Sequence, residues 1–306
     1  MRISIIIPMY NESRYIARCL KSLKNQSYMD FEIILIDDGS KDDTVKIAKT
    51  FEKDFSLTIL HQEHGGPGKA RNRGAKIAKG DVFVFVDADM YFDQAYIENL
   101  VRPILKGEEE GTAHGTEKIG NPENIRAKSR SIDRIPNPGK RSGVYRAISK
   151  DSFKKSGGYN NDRFAFEDNI GAKYGKGALT VMKAVCYHNN PENLNEVFKH
   201  DQWIGESMMA KGKIKEYISK YRLYLILITI MLVAVVYFII VKDISWIGII
   251  VGLGGAIIAF AEIIALKRVI KEKEFKYIFS IPILSITRGL GYISGATKHL
   301  VSKIIH

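Results

Sequence analysis

Asp87 and Asp89, two carboxylates one residue apart, close the run Val82-Phe83-Val84-Phe85-Val86. Such a run of β-branched and aromatic residues reads as a buried strand of a parallel sheet. In open α/β sheets, ligands lie beyond the carboxyl ends of the strands, which is where the two acids fall. Asp-x-Asp in that place suits a hard divalent cation. Mg2+ or Mn2+ takes one or two carboxylates and completes its shell with phosphate oxygens and water. Taken alone, the pair is more often an acidic strand-end turn, so the rest of the chain has to decide.

The elements around it alternate. Residues 2–7 form an opening strand closed by Pro8, and residues 12–24 carry Ile16, Leu20 and Leu23 at helical spacing. Residues 31–36 are a second strand ending in Asp37-Asp38-Gly39-Ser40; residues 42–51 are helical and residues 57–60 a third strand. Pro67 opens a third helix that continues through residues 70–78, and residues 94–105 form the helix after the acidic strand. This order predicts an α/β fold, a mostly parallel, doubly wound sheet with crossovers on both faces. From 111 to 145 the periodicity is lost, and Arg126, Lys128, Arg130, Arg134, Lys140 and Arg141 make the stretch a long basic loop. A further strand is expected at 179–187. Residues 192–210 read as an amphipathic helix with Leu194, Val197, Phe198, Trp203, Ile204 and Met208, expected to lie at a bilayer surface within 191–212.

Beyond about Tyr221 the composition changes. Residues 223–241 and 244–266 are apolar almost throughout, with only Lys242-Asp243 between them. About 20 such residues span a bilayer core, so 221–267 is expected to be a transmembrane helical hairpin. Residues 277–296, within 275–306, contain Pro282, Arg288 and several glycines. A central Arg costs at least ~2.5 kcal/mol in a spanning helix, and the segment reads as interfacial or re-entrant, with a third span as the lesser option. Lys211, Lys213, Lys215, Lys220 and Arg222 precede the hairpin, and Lys267, Arg268, Lys271, Lys273 and Lys276 follow it. The positive-inside rule then expects a multi-pass cell-membrane protein whose N-terminal domain, 1–212, faces the cytoplasm. The formal charge of +12 fits membrane lipids as partners, each basic residue near an anionic surface being worth ~1 kcal/mol. No nucleic-acid-binding motif is visible. Met1-Arg2 leads straight into a strand, without the pattern of a signal peptide. Cys19 and Cys186 are expected to be reduced core residues.

Several motifs in order carry a resemblance. They are Pro8-Met9-Tyr10-Asn11-Glu12, Asp37-Asp38-Gly39-Ser40, Gly65-Gly66-Pro67-Gly68-Lys69-Ala70-Arg71-Asn72, Asp87-Ala88-Asp89, Gly157-Gly158-Tyr159 and Glu167-Asp168. Over residues 1 to about 210 the chain resembles the family 2 inverting glycosyltransferases of GT-A fold. With its hairpin it looks like the membrane-anchored branch that glycosylates lipid-linked or cell-surface acceptors. The resemblance implies a nucleotide-diphosphate sugar donor carrying uridine or guanosine, and a Mn2+ or Mg2+ cofactor.

It also implies roles. Pro8, Tyr10 and Glu12 would line the nucleoside pocket, and Asp38 with Asp37 would accept from the ring N–H of uracil or guanine. Gly66 would let main chain approach the nucleotide, with Lys69 or Arg71 offsetting phosphate charge. Asp89 would bind the metal, Asp87 the ribose or the metal and its water, and His188 would be a third ligand or a phosphate contact. Asp168, with Glu167 beside it, would be the general base, although both acids also suit a helix N-terminus. Processive relatives carry Gln-x-x-Arg-Trp where this chain has Asp201-Gln202-Trp203, so one sugar per encounter is expected. Polyprenyl-phosphate sugar synthases are the alternative within the class. They usually carry Asp-x-Asp-Leu-Gln, whereas Met90-Tyr91 follow Asp89 here. A non-catalytic sugar-nucleotide sensor is the alternative outside it.

Overall fold

A computed structural model describes residues 2–124, 127, 141–160, 170 and 177–210, with positions 287, 290, 294 and 298. Glu167, Asp168 and the expected hairpin at 221–267 lie outside the described residues. The chain forms two compact units, 1–120 with 134–189, and 121–133 with 190–306.

The first unit is built on an eight-stranded sheet. Its strands are β1 (Ile3–Met9), β2 (Phe31–Asp37), β3 (Leu57–His61), β4 (Val82–Phe85), β5 (Met90–Phe92), β6 (Gly111–Ile119), β7 (Ala147–Ser149) and β8 (Leu179–His188). Their order is β3-β2-β1-β4-β7-β6-β8-β5. β3, β2, β1 and β4 are parallel, as the alternation predicts, while β7 pairs antiparallel with both β4 and β6.

Period-2 patterning sorts the strands into two cores. Ile3, Ile5, Ile7, Ile33, Leu35, Val82 and Val84 face one side with α1 (Ile16–Lys24) and α4 (Tyr96–Leu105). Ile6, Ile34, Ile36, Phe83 and Phe85 face the other with α3 (Pro67–Ile77) and α5 (Lys150–Lys155). α2 (Thr44–Lys49) joins β2 to β3 and adds Ala48 to the first core. α3 lies close to the sheet because it presents small residues there. A Cβ on Gly74 would stand 2.5 Å from the Ile6 side chain. Cys19 and Cys186 are buried free thiols, as expected.

One expectation is corrected. The stretch from 111, read as loop, opens with the nine-residue strand β6. Its sequence, GTAHGTEKI, hides the strand because β7 on one edge and β8 on the other supply its hydrogen bonds. An element held on both edges needs no run of large apolar side chains to be ordered. Its glycines mark close approaches. A Cβ on Gly111 would meet the Tyr145 ring at 2.2 Å, and Gly115 sits at the register shift against β8. Arg141, counted among the loop cations, is clamped by Glu109 at 2.5 Å and donates to the Gly177 carbonyl.

In the second unit, α6 (Leu194–Ala210) opens on a reciprocal cap. Asn193 accepts from the Glu196 N–H at 2.9 Å while its amide donates to the Glu196 carboxylate at 2.7 Å. Its buried positions are Val197, Asp201, Gly205, Glu206 and Ser207, whereas Trp203 and Ile204 are half-buried. Glu206 pairs with Lys298 at 2.8 Å, and Gln202 donates to Ser294. Among the described residues, no helix is long and apolar enough to cross a membrane.

Candidate active site at the carboxyl rim of the sheet

Four loops meet where β1, β2, β4 and β8 end. The β1–α1 loop is stitched to the β2–α2 loop: Asn11 and Glu12 donate backbone N–H groups to Ser40 Oγ and Thr44 Oγ1, and Lys41 donates to the Asn11 side chain. Asn11 takes a left-handed φ of 56°, which asparagine tolerates better than most residues. Tyr10 is thereby held outward, 40% exposed, with its ring stacked on His64 at a centroid distance of 4.1 Å.

Asp38 sits beneath that stack. Its Oδ1 accepts from Gln62 Nε2 at 2.7 Å and Gly65 N–H at 2.9 Å. Its Oδ2 accepts from Gly66 N–H at 2.9 Å and lies 2.9 Å from His64 Nδ1. The carboxylate is 4% exposed, and it clamps the turn that opens α3. Gly66 there adopts φ 90°, a conformation open to glycine. Asp37 is likewise committed, to His61 Nδ1 at 3.0 Å and the Ser40 N–H at 3.1 Å. Asp37 and Asp38, expected to accept from the base, thus also hold the walls of the rim through these bonds. Pro8 is half-buried within β1 opposite Ile36. Lys69 is exposed, its side chain lying over Gly65.

Asp87 is held by two guanidinium groups. Arg71 Nη2 lies 2.6 Å from Oδ1 and Arg146 Nη1 2.9 Å from Oδ2, with the arginine side chains only 4% and 7% exposed. Burial would raise this carboxyl's pKa, but Arg146 and then Arg71 outweigh it and hold Asp87 far below the ordinary range. Arg71, expected at the phosphate, is here a buried partner of Asp87, and Asp87, expected at the ribose or the metal, is anchored by the two arginines.

Asp89 faces the opening, 27% exposed. The register between β5 and β8 sets Met90 opposite His188, and Asn189 donates backbone and side-chain N–H groups to the Asp89 carbonyl. His188 Nε2 consequently lies 2.8 Å from Asp89 Oδ2. Two neighbouring ligands of an octahedral Mg2+ at 2.0–2.1 Å stand about 3 Å apart, so this oxygen and nitrogen fit a shared cation with little adjustment. Among the described residues no third His, Cys, Asp or Glu joins them as a ligand. Glu12 completes the acidic cluster, its pKa pushed up to about 9, first by burial and then by Asp89 and Asp87.

Arg146, Glu117, His114 and His64 belong to the site and escaped the sequence reading. Glu117 Oε1 lies 3.1 Å from His188 Nδ1 and Oε2 3.3 Å from His114 Nε2. Burial first of all holds His114 below its ordinary pKa. Near the segment that leads to Glu167 and Asp168, Asn72 on α3 makes a two-way bond with Tyr159. Its amide donates to the Tyr159 carbonyl at 2.8 Å and its oxygen accepts from the Tyr159 N–H at 2.9 Å.

The sheet and its acid-bearing rim define a glycosyltransferase domain of GT-A fold. Residues 4–169, more than half of the chain, match the model of Glycosyl transferase family 2. The chain belongs to that family. It is 38% identical over 104 residues to Glycosyltransferase GlyG of Streptococcus pneumoniae serotype 4, covering 33% of this chain and 35% of that protein. It is 36% identical over 103 residues to the poly(ribitol-phosphate) beta-N-acetylglucosaminyltransferase TarS of Staphylococcus aureus (strain Mu50), covering 32% of this chain and 18% of that protein. The chain thus spans about a third or less of the length of these relatives. The fold is shared with S. aureus TarS 1-349 in complex with UDP-GlcNAc, at TM-score 0.52, 18% identity and coverage of 99% and 92% of the two chains. It is also shared with the mannosyltransferase PcManGT from Pyrobaculum calidifontis in complex with GDP-Man and Mn2+, at TM-score 0.56, 18% identity and coverage of 99% and 88%.

Proposed function

We propose that this protein is a membrane-anchored, metal-dependent, inverting glycosyltransferase that moves one sugar from a nucleotide-diphosphate sugar to a lipid-linked or glycan acceptor. The observation that carries the reading is the convergence of Asp89 and His188, 2.8 Å apart, beside Glu12 at the carboxyl rim. Asp89 and His188 would hold Mn2+ or Mg2+. That ion supplies a counter-charge for the diphosphate as it leaves. The stacked rings of Tyr10 and His64 offer a flat aromatic face for a uracil or guanine base. Lys69, exposed at the first turn of α3, is placed to offset phosphate charge. Its neighbour Gly66 has its N–H spent on Asp38, so the phosphate contact falls to the side chain rather than to that amide. Asp168, with Glu167, remains the proposed base that takes the proton from the acceptor hydroxyl.

The reading of the anchor is supported by the apolar residues 223–241 and 244–266, and that of a cytoplasmic catalytic domain by their basic flanks. That placement suits an acceptor presented at the inner leaflet. The test is turnover of radiolabelled UDP- and GDP-sugars by the full chain, with inner-membrane lipids and surface glycans as acceptors. Activity is expected to vanish in EDTA and return with Mn2+ or Mg2+, and to be lost in Asp89→Asn and Asp168→Asn with melting unchanged. Full activity in EDTA would overturn the metal reading. Label found on undecaprenyl phosphate alone would make the protein a polyprenyl-phosphate sugar synthase.

A further inference from the structure

The site is backed by a chain of polar groups that runs inward from its mouth. Asp89 meets His188, His188 meets Glu117, Glu117 meets His114, and His114 Nδ1 lies 3.3 Å from the Tyr96 hydroxyl. Exposure falls along it, from 27% at Asp89 through 20%, 17% and 11% to a fully buried Tyr96. The strands fix the spacing. In the parallel pair of β6 and β8, Glu117 stands opposite Cys186 and Ile119 opposite His188, so Glu117 lies one diagonal step from His188 on the same face.

Counting protons along the chain assigns each nitrogen. A tyrosine hydroxyl can donate to His114 Nδ1, which leaves the His114 proton on Nε2, directed at Glu117. A carboxylate can only accept, so Glu117 takes that proton's hydrogen bond on Oε2 and takes another on Oε1 from His188 Nδ1–H. Asp89 can likewise only accept, so its 2.8 Å contact with His188 Nε2 carries a proton while no cation is there; a cation taking that proton's place meets the Nε2 lone pair, with Nδ1–H still held by Glu117.

We infer that Glu117 is a positioning residue for the metal site: by accepting from His188 Nδ1 it holds His188 in the tautomer whose Nε2 can bind a divalent cation beside Asp89. Glu117 touches neither cation nor sugar; it acts through His188. His114 and Tyr96 keep the second carboxylate oxygen occupied, which stops Glu117 from turning away. The inference rests on the proposed metal pair and adds the residue that makes half of it competent.

An isosteric change gives the sharpest test. In Glu117→Gln the His114 Nε2–H still requires an acceptor, which directs the amide oxygen toward His114 and the amide NH2 toward His188 Nδ1. The His188 proton must then move to Nε2, against the cation. Mn2+ binding to the full chain is read from the electron paramagnetic resonance signal of the free ion. Removing an outer partner of a metal-bound histidine typically weakens metal binding 10- to 100-fold, and that loss is expected in Glu117→Gln, with melting near that of the wild type. Long-range 1H–15N correlations of 15N-histidine protein, loaded with diamagnetic Cd2+, are expected to place the His188 proton on Nδ1 in the wild type. If the wild type takes up no Mn2+, the metal reading itself falls. If the wild type binds Mn2+ and Glu117→Gln binds it equally well, the metal reading stands and the role of Glu117 is overturned. A wild-type His188 proton found on Nε2 under Cd2+ overturns that role even if the variant fails to fold.

Discussion

Arg146→Met isolates the buried charge on which the acidic rim is built. Asp87 is held between Arg71 at 2.6 Å and Arg146 at 2.9 Å, its side chain 25% exposed and theirs 4% and 7%. Removing one partner of a buried ion pair costs ~3–5 kcal/mol, because it leaves a charge out of water with too little compensation. Arg71 remains and Asp87 reaches some solvent, so the lower end, about 3 kcal/mol, is expected. For a domain of this size 1 kcal/mol moves the melting temperature by roughly 2–4 °C, which gives a loss of about 6–12 °C. The pH dependence supplies a second reading. The folded pKa of Asp87 is depressed, the net result of Arg146 and Arg71 overcoming burial. A depressed acid stabilises fully above its unfolded pKa, about 3.9, and that stability is lost as pH falls toward the folded value. The gap between wild type and Arg146→Met is therefore expected to be full at pH 7 and to narrow below about pH 4. Thermal melts followed by circular dichroism from pH 7 to pH 3 measure both. A variant melting within about 2 °C of wild type at pH 7, or a gap that ignores pH, would refute the two-arginine account.

Glu12, pushed up to about 9 by burial and by Asp89 and Asp87, is protonated at neutral pH. Its contribution to stability is complete below the unfolded value near 4.3 and is lost as pH rises toward 9. Without metal, Glu12→Gln should melt increasingly above wild type between pH 5 and 9, and parallel melting curves across that range would show that Glu12 ionises normally. Asp38→Asn turns an amide NH2 toward the donors of the Gly65-Gly66 turn. With hydrogen bonds to a charged group worth about 1.5–3 kcal/mol each, a loss of about 3 kcal/mol and weaker binding of UDP or GDP by calorimetry are expected. Unchanged melting would show that the turn does not depend on the Asp38 charge. Asn72→Ala deletes two bonds to the Tyr159 backbone, about 2 kcal/mol together. It should quicken chymotryptic cleavage at Tyr159, and an unaltered cleavage rate would mean that other contacts secure that segment.

The half of the domain built on β1, β2 and β4 was legible because burial on two faces forces nearly unbroken runs of large apolar residues, alternate positions facing alternate cores. Ile3, Ile5 and Ile7 against Ile6, and Val82 and Val84 against Phe83 and Phe85, repeat that signal until the strand ends and the acids begin. β6 carried no such signal: its nine residues include three with charged or ionisable side chains, His114, Glu117 and Lys118, and strands on both edges supply its order. The placement of His188 beside Asp89 was expected from resemblance alone. The pairing of Met90 with His188 that produces it is a register between segments nearly a hundred residues apart, which no local pattern reports.

The residues whose protein partners the sequence did not show have one physical cause in common. A buried acid in a motif announces that something positive or N–H-bearing lies opposite, and sequence does not say whether that partner is a ligand or the protein. Asp38 meets the Gly65 and Gly66 amides, and Asp87 meets Arg71 and Arg146, so both charges are satisfied inside the fold. What remains turned outward at this rim is a smaller set: Tyr10 on its His64 stack, Lys69, and Asp89 with His188. The inward-facing charges fix the loops, and fixed loops let the outward set hold its geometry before any ligand arrives. The two sets should therefore separate in mutagenesis. Changes at Asp38, Asp87 or Arg146 should lower melting temperature and activity together, whereas Asp89→Asn should lower activity and metal binding while melting holds. Loss of fold in Asp89→Asn, or full stability in Asp87→Asn, would dissolve the division between frame and site.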